Sequence, residues 1–240
     1  TISLDLERAK RLGFWRAINP FQGYINTDKD IVRNIMDRYV GIIVKSKDIY
    51  CLLCELKELG WESLRETSIN RLIYLSSVLY SFINNEIENI FAKSYQFTIT
   101  LSGPEDAEIE KALIHLESNG LVQHTDKGYA VIEGTNPLII DEEYEEKKAW
   151  FKDIAYIISI YGEDKIYDFI FRDPEYRESL LGNSVYNLNI DKNNATVKFL
   201  NRFKYEFEKV LNDKSVALDN RKYMELYFEY VFGMILRGEV

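Results

Sequence analysis

Little in this 240-residue chain invites covalent or metal chemistry. It has two cysteines, two histidines and four prolines. No GxGxxG, Walker A, GxSxG or HExxH pattern occurs in it. The cysteines, Cys51 and Cys54, match a redox CxxC only in spacing. They lie in IYCLLCELKEL, a stretch of helical periodicity with no strand before it and no second pair, so they read as small core residues on one helix face. Zinc would need two further ligands, and His115 and His124 lie far away in the sequence. With no disulfide framework, the chain suits a reducing cytosol. No apolar run approaches the roughly 20 residues that span a bilayer. The segment TISLDLERAKRLGFW lacks the apolar stretch of a secretory leader. The expectation is a soluble cytoplasmic protein without cofactor, metal or membrane partner.

Charge is unbalanced as well. Lys and Arg total 30 against 39 Asp and Glu, a net −9 that repels nucleic-acid phosphate. What the chain does have is apolar and aromatic mass. It is 46% hydrophobic, with 17 Tyr and 13 Phe, enough to build a sizeable core.

The periodicity predicts a mainly α protein with a small β component (α+β). In the helical region 1–66, DLERAKRLGFWRAI forms a helix ending near Asn19-Pro20. A second helix, DIVRNIMDRYVGIIV, follows a Thr27/Asp28 cap and sets Ile31, Ile35, Tyr39 and Ile42 at helical spacing. A third, DIYCLLCELKELG, stops at Gly60. Region 67–134 reads as a winged-helix module. It runs from the helix SINRLIYLSSVLYSFIN to the strand KSYQFTIT and the turn LSGPED. A second helix, EDAEIEKALIHLESNG, has Pro104 as its first residue and Ile109, Leu113 and Leu116 as its buried stripe. A hairpin, LVQHT and YAVIEG, then closes on the glycine of Asp126-Lys127-Gly128. Region 135–240 is helical again. It starts after Thr135-Asn136-Pro137 with DEEYEEKKAWFKDIAYIISIYG, followed by EDKIYDFIF and DPEYRESLLG. VYNLNI and ATVKF suggest a hairpin or a polar loop, and two amphipathic helices complete the chain.

A DNA-reading winged helix lays its second helix in the major groove with Arg, Lys, Asn or Gln facing the bases. Here that helix carries Glu105, Asp106, Glu108, Glu110 and Glu117 against Lys111 alone. Each acid near a phosphate costs up to about 1 kcal/mol in water and more when desolvated. The wing, with His124 and Lys127, is too weakly basic to compensate. The module therefore reads as a protein-docking unit, with Glu105 and Glu108 on its acidic helix. In the last helix, Tyr223, Tyr227 and Tyr230 share one stripe while Phe228 and Phe232 lie on another flank. Such a helix buries one face at home and offers one to a partner, or is buried all round. Acidic pairs such as Glu142-Glu143 read as a solvated face, and Asp164, Asp168 and Asp173 as helix and turn residues rather than a metal site. A transcription regulator or antitoxin, using the winged helix on DNA, is the competing reading. A dispersed carboxylate enzyme is the third.

RLIYLSSVLYSF, the strand after it, and LSGPEDAEIEKALIHLESNGLV with its Gly103-Pro104 and Gly120-Leu121-Val122 carry a family resemblance. This segment, Arg71 to Val122, is about a fifth of the chain. It resembles the middle component of ABC-three-component systems, including the small accessory subunit of Lamassu-type defence, and departs from that pattern at Glu105-Asp106. The resemblance implies a non-enzymatic subunit of a bacterial anti-phage or anti-plasmid complex. Such a subunit bridges an SMC- or Rad50-like ATPase and an effector nuclease, and meets DNA only through the complex.

Overall fold

The structure is a computed structural model that describes residues 29–84, 86–135, 142–181, 187–211 and 219–237. The expected helix DLERAKRLGFWRAI, its end at Asn19-Pro20 and the Thr27/Asp28 cap lie outside these residues. The described chain is mostly helical with a few short antiparallel strands, which agrees with an α+β class. No described helix is long and apolar enough to cross a membrane.

The first described element, α1 (Lys29–Glu58), is one continuous helix. The sequence suggests two helices, divided at Lys45-Ser46-Lys47. The polar stretch does not break the helix because its charges point inward and are matched there. Lys45 and Asp48 are buried, with ion-pair partners on other segments. Ser46 bonds back to the Ile42 carbonyl at 2.8 Å. Cys51 is buried and Cys54 half-buried on this helix, as core residues should be.

Helix α2 (Glu66–Ile83) is the hub of the fold. Every residue from Ser68 to Phe82 is buried, so the helix is enclosed on all sides. Its polar side chains are satisfied there. Ser76 and Ser77 donate to the Leu72 and Ile73 carbonyls, Ser81 to the Ile190 carbonyl, and the Arg71 guanidinium to the Ser102 carbonyl. Leaving any of these unpaired would cost about 1–3 kcal/mol.

Strands β1 (Thr98–Thr100) and β2 (Gly103–Glu105) form a tight antiparallel hairpin in the register Thr98↔Glu105, Ile99↔Pro104, Thr100↔Gly103. This corrects two expectations. KSYQFTIT contributes strand only at its last three residues, and Pro104 lies in β2 rather than at the start of a helix. With Leu101-Ser102 as the turn and Gly103 at φ +117°, the chain reverses before Pro104. On an edge strand a proline removes no ladder bond.

Helix α3 (Ile109–Ser118) follows, later than the sequence suggested. Asp106 fixes its start: its Oδ1 accepts from the Glu108 N–H at 2.9 Å and its carbonyl from the Ile109 N–H at 2.9 Å. Ile109, Leu113 and Leu116 are buried as expected, together with Ala112. Strands β3 (Val122–Thr125) and β4 (Gly128–Val131) form the expected hairpin, with Gly128 at φ +124°. An isolated bridge joins Leu64, before α2, to Tyr129 of β4 through two backbone bonds of 3.0 and 2.8 Å.

Beyond the hairpin come α4 (Glu142–Ser159), α5 (Glu163–Arg172), α6 (Pro174–Leu181), α7 (Ala195–Leu211) and α8 (Asn220–Arg237). ATVKF is the first turn of α7, not a strand. Asn194 caps it, its Oδ1 accepting from the Thr196 and Val197 N–H groups at 2.8 and 3.1 Å. Asn187 makes a bridge, but to Thr98 of β1. The described parts of all three sequence regions feed one buried cluster that runs from Ile49 to Phe228.

Candidate protein-docking surface

Helix α3 is amphipathic, and its two faces have opposite chemistry. Ile109, Ala112, Leu113 and Leu116 turn inward, while Glu110, Ile114 and Glu117 face solvent at i, i+4 and i+7. Ile114 is 51% exposed. Glu66, at the start of α2, and Glu105, at the end of β2, lie close enough to be felt there. Burial first, then Glu110 and Glu105, raise the Glu66 carboxyl above its ordinary range, with His124 opposing. Burial and then Glu66, Glu117 and Glu110 likewise raise the Tyr129 phenol. The turn between β3 and β4 adds little positive charge. Exposed Lys127 lies 3.9 Å from Glu62, and His124 is stacked on Tyr129 at 4.6 Å.

Glu108 is not part of this outward face. The Lys45 ammonium reaches from α1 to both Asp106 oxygens at 2.7 Å and to Glu108 Oε2 at 3.0 Å, and Arg38 lies 3.4 Å from Glu108 Oε1. Burial pushes the Glu108 carboxyl up, but Lys45, aided by Lys111 and Arg38, holds it below the usual glutamate range. The side chains of Lys45 and Asp106 are each 3% exposed. The Gln96 N–H and the Asn70 carboxamide complete the shell, the first donating to Asp106 Oδ2 and the second accepting from the Asp106 N–H. Glu108 and Asp106 therefore clamp α3 onto α1. A second buried pair, Lys147 with Asp48 at 3.0 Å, ties α4 to the same helix, and Tyr95 donates to Asp48. Burial raises the Asp48 carboxyl despite Lys147.

The aromatic stripe of α8 is also mostly spent internally. Tyr223 and Tyr227 are 2% and 1% exposed. Tyr223 donates to Glu208 at 3.1 Å, and the Tyr227 ring meets Phe169, Phe199, Phe203 and Phe228 at 5.8–6.0 Å. Phe228, on the other flank, is buried as well, and the Phe232 side chain lies outside the description. Tyr230 alone of the three tyrosines is open, at 47%, with its ring 5.8 Å from Phe203. The expected docking set thus divides. Glu105 and Tyr230 are exposed, Glu108 is half-buried in a clamp, and Tyr223 and Tyr227 are core. They do not form one patch.

Sequence reasoning passed over Glu66, Lys45 and Ile114. Only Ile114 carried a signal, since it falls off the Ile109–Leu113–Leu116 stripe. Glu66 and Lys45 act through contacts between distant segments.

Of the acids considered for metal, Asp164 is exposed, Asp168 pairs with Lys165 at 3.6 Å, and Asp173 is buried. Among the described residues no three His, Cys, Asp or Glu side chains gather to hold a metal ion. No family model matches the chain, and neither the curated proteins nor the solved structures give a significant match.

Proposed function

We propose that this chain is a non-enzymatic adaptor subunit of a bacterial defence complex, bridging an SMC- or Rad50-like ATPase and an effector nuclease in the cytoplasm. In this reading α2, α3, the β3–β4 hairpin and the Leu64 bridge make up a winged-helix module, with Leu64 as its single-residue first strand. The observation that carries the reading is the outward face of α3. In a DNA reader that face is polar and basic. Here it presents Glu110, Ile114 and Glu117, with Glu66 and Glu105 alongside. Phosphate would be repelled along the whole helix. A basic helical surface with an apolar residue seated on Ile114 complements it in charge and shape. The resemblance of Arg71–Val122 to the middle components of ABC-three-component systems supplies the class of partner.

Co-expression of the chain with any SMC- or Rad50-like ATPase found at its locus tests the reading. The expected result is a complex of fixed stoichiometry that survives gel filtration and has no nuclease activity before the effector is added. A chain that elutes alone from a locus with no ATPase would overturn it. So would a sub-micromolar, salt-dependent complex with duplex DNA, which would favour the regulator or antitoxin.

A further inference from the structure

Asp173 is buried at the corner between α5 and α6, with 1% exposure. Three helices converge on its carboxyl. Tyr74 of α2 donates to Oδ1 at 3.0 Å, and the Tyr176 N–H of α6 donates to the same oxygen at 2.9 Å. Thr196 of α7 donates to Oδ2 at 2.5 Å. The other groups facing it bring no positive charge. Glu175 is spent on the Asn189 and Ala195 N–H groups, Asn194 reaches the Tyr74 hydroxyl at 3.5 Å, and Tyr227 of α8 lies close enough for Asp173 to raise its phenol, after burial. Arg172, next in the chain, makes no ion pair with it among the described residues, and its buried Nη1 has no hydrogen-bond partner. Every other buried carboxylate described above has a cation. Asp173 has only neutral donors.

We propose that Asp173 is a proton-operated clasp joining α2, α6 and α7: the neutral carboxyl, its proton donated to the Thr196 hydroxyl, is tolerated in the dry corner, and once it ionises the buried charge without a cation makes opening of α6–α8, which returns the carboxylate to water, more favourable. An ionised carboxylate held by neutral donors in a dry site is disfavoured against the same group in water. Burial accordingly raises the Asp173 carboxyl to about 6, against hydrogen bonds from Thr196, Tyr176 and Tyr74 that pull it down. A folded-state value above the unfolded one means that the clasp is fully fastened below the ordinary Asp range near 4. It is lost as pH rises through 6. Two pH units of difference correspond to about a 100-fold change in the opening equilibrium. At neutral pH the clasp is therefore loosened, and it tightens on acidification.

Amide hydrogen exchange at pH 4.5 and 7.5, each corrected for the intrinsic rate, reads this out helix by helix. Wild-type amides in α6 and α7 should lose tens-fold to about 100-fold protection over that interval, and Asp173→Asn should lose only a few-fold. An equal loss in Asp173→Asn overturns the proposal. If Asp173→Asn does not fold, Thr196→Val decides. It keeps the carboxyl but removes a donor to its ionised form, so the midpoint should move to higher pH, and an unmoved midpoint contradicts the clasp. Carbon-13 titration of the Asp173 carboxyl should give a midpoint near 6, and a midpoint below 4.5 overturns the proposal.

Discussion

Replacing Gly128 with alanine should damage the fold out of proportion to the one methyl added. A Cβ at this position would lie 2.4 Å from the Leu64 carbonyl oxygen, 2.5 Å from its carbon and 2.7 Å from the Arg65 nitrogen, all backbone atoms that no rotamer change removes. Relief requires β4 to move away from Leu64. That motion gives up the two bonds between Leu64 and Tyr129, each worth about 1 kcal/mol net. The φ of +124° adds about 1–2 kcal/mol for a residue with a Cβ. Together the loss is about 3–4 kcal/mol. In urea unfolding, with a slope of about 2.5 kcal/mol/M, the midpoint should fall by about 1–2 M. Gly60→Ala and Gly120→Ala are the controls. Both sites have positive φ, but a Cβ there meets nothing within 4 Å, so only the conformational part of the loss should appear. A Gly128→Ala midpoint no lower than these controls would refute the packing of β4 against Leu64.

Lys45→Met should destabilise the chain by about 3–5 kcal/mol in the same assay, because it strands the buried Asp106 carboxylate without a cation. Adding Asp106→Asn should restore most of that loss, and a strictly additive double variant would contradict the clamp. Cys51, 1% exposed with its thiol pushed by burial up to about 12, should resist iodoacetamide at pH 8 until the chain unfolds, whereas half-buried Cys54 should react first. In fluorescence anisotropy neither the wild type nor Lys127→Glu should bind duplex DNA below the micromolar range. A sub-micromolar wild-type complex that Lys127→Glu abolishes would show the β3–β4 turn reading phosphate.

Local pattern made much of the architecture legible in advance. The stripe Ile109–Leu113–Leu116, the hairpin closing on Gly128 and the helices from Glu142 onward are set by nearest neighbours and turn chemistry. The errors arose where distant segments decide. Lys45-Ser46-Lys47 looked like a break because the partners that bury Lys45 and the neighbouring Asp48, Asp106 and Lys147, lie 61 and 99 residues away. Pro104 looked like a helix start because the turn LSGPED is legible locally, but nothing local shows that Gly103–Glu105 pairs back on Thr98–Thr100 as a strand before the helix begins. The ATVKF alternation is consistent with a strand until Asn194 is seen capping α7. The candidate site was legible in its sign but not in its members. The acidity of α3 was plain, yet which acids turn outward depends on α1, which takes Asp106 and Glu108 for itself. Tyr223 and Tyr227 could have faced either way, and the core formed by α5 and α7 claims them.

The central claim is that α3 presents an acidic face to a protein partner. The most direct test is the dissociation constant between this chain and the SMC- or Rad50-like ATPase that the proposal requires, measured for the wild type and for Glu110→Lys/Glu117→Lys. Both side chains are exposed and outside the clamp, so the variant should fold normally. The account expects affinity to fall by about tenfold or more, with a weaker salt dependence of association. An unchanged dissociation constant, or a variant that binds more tightly, would contradict it.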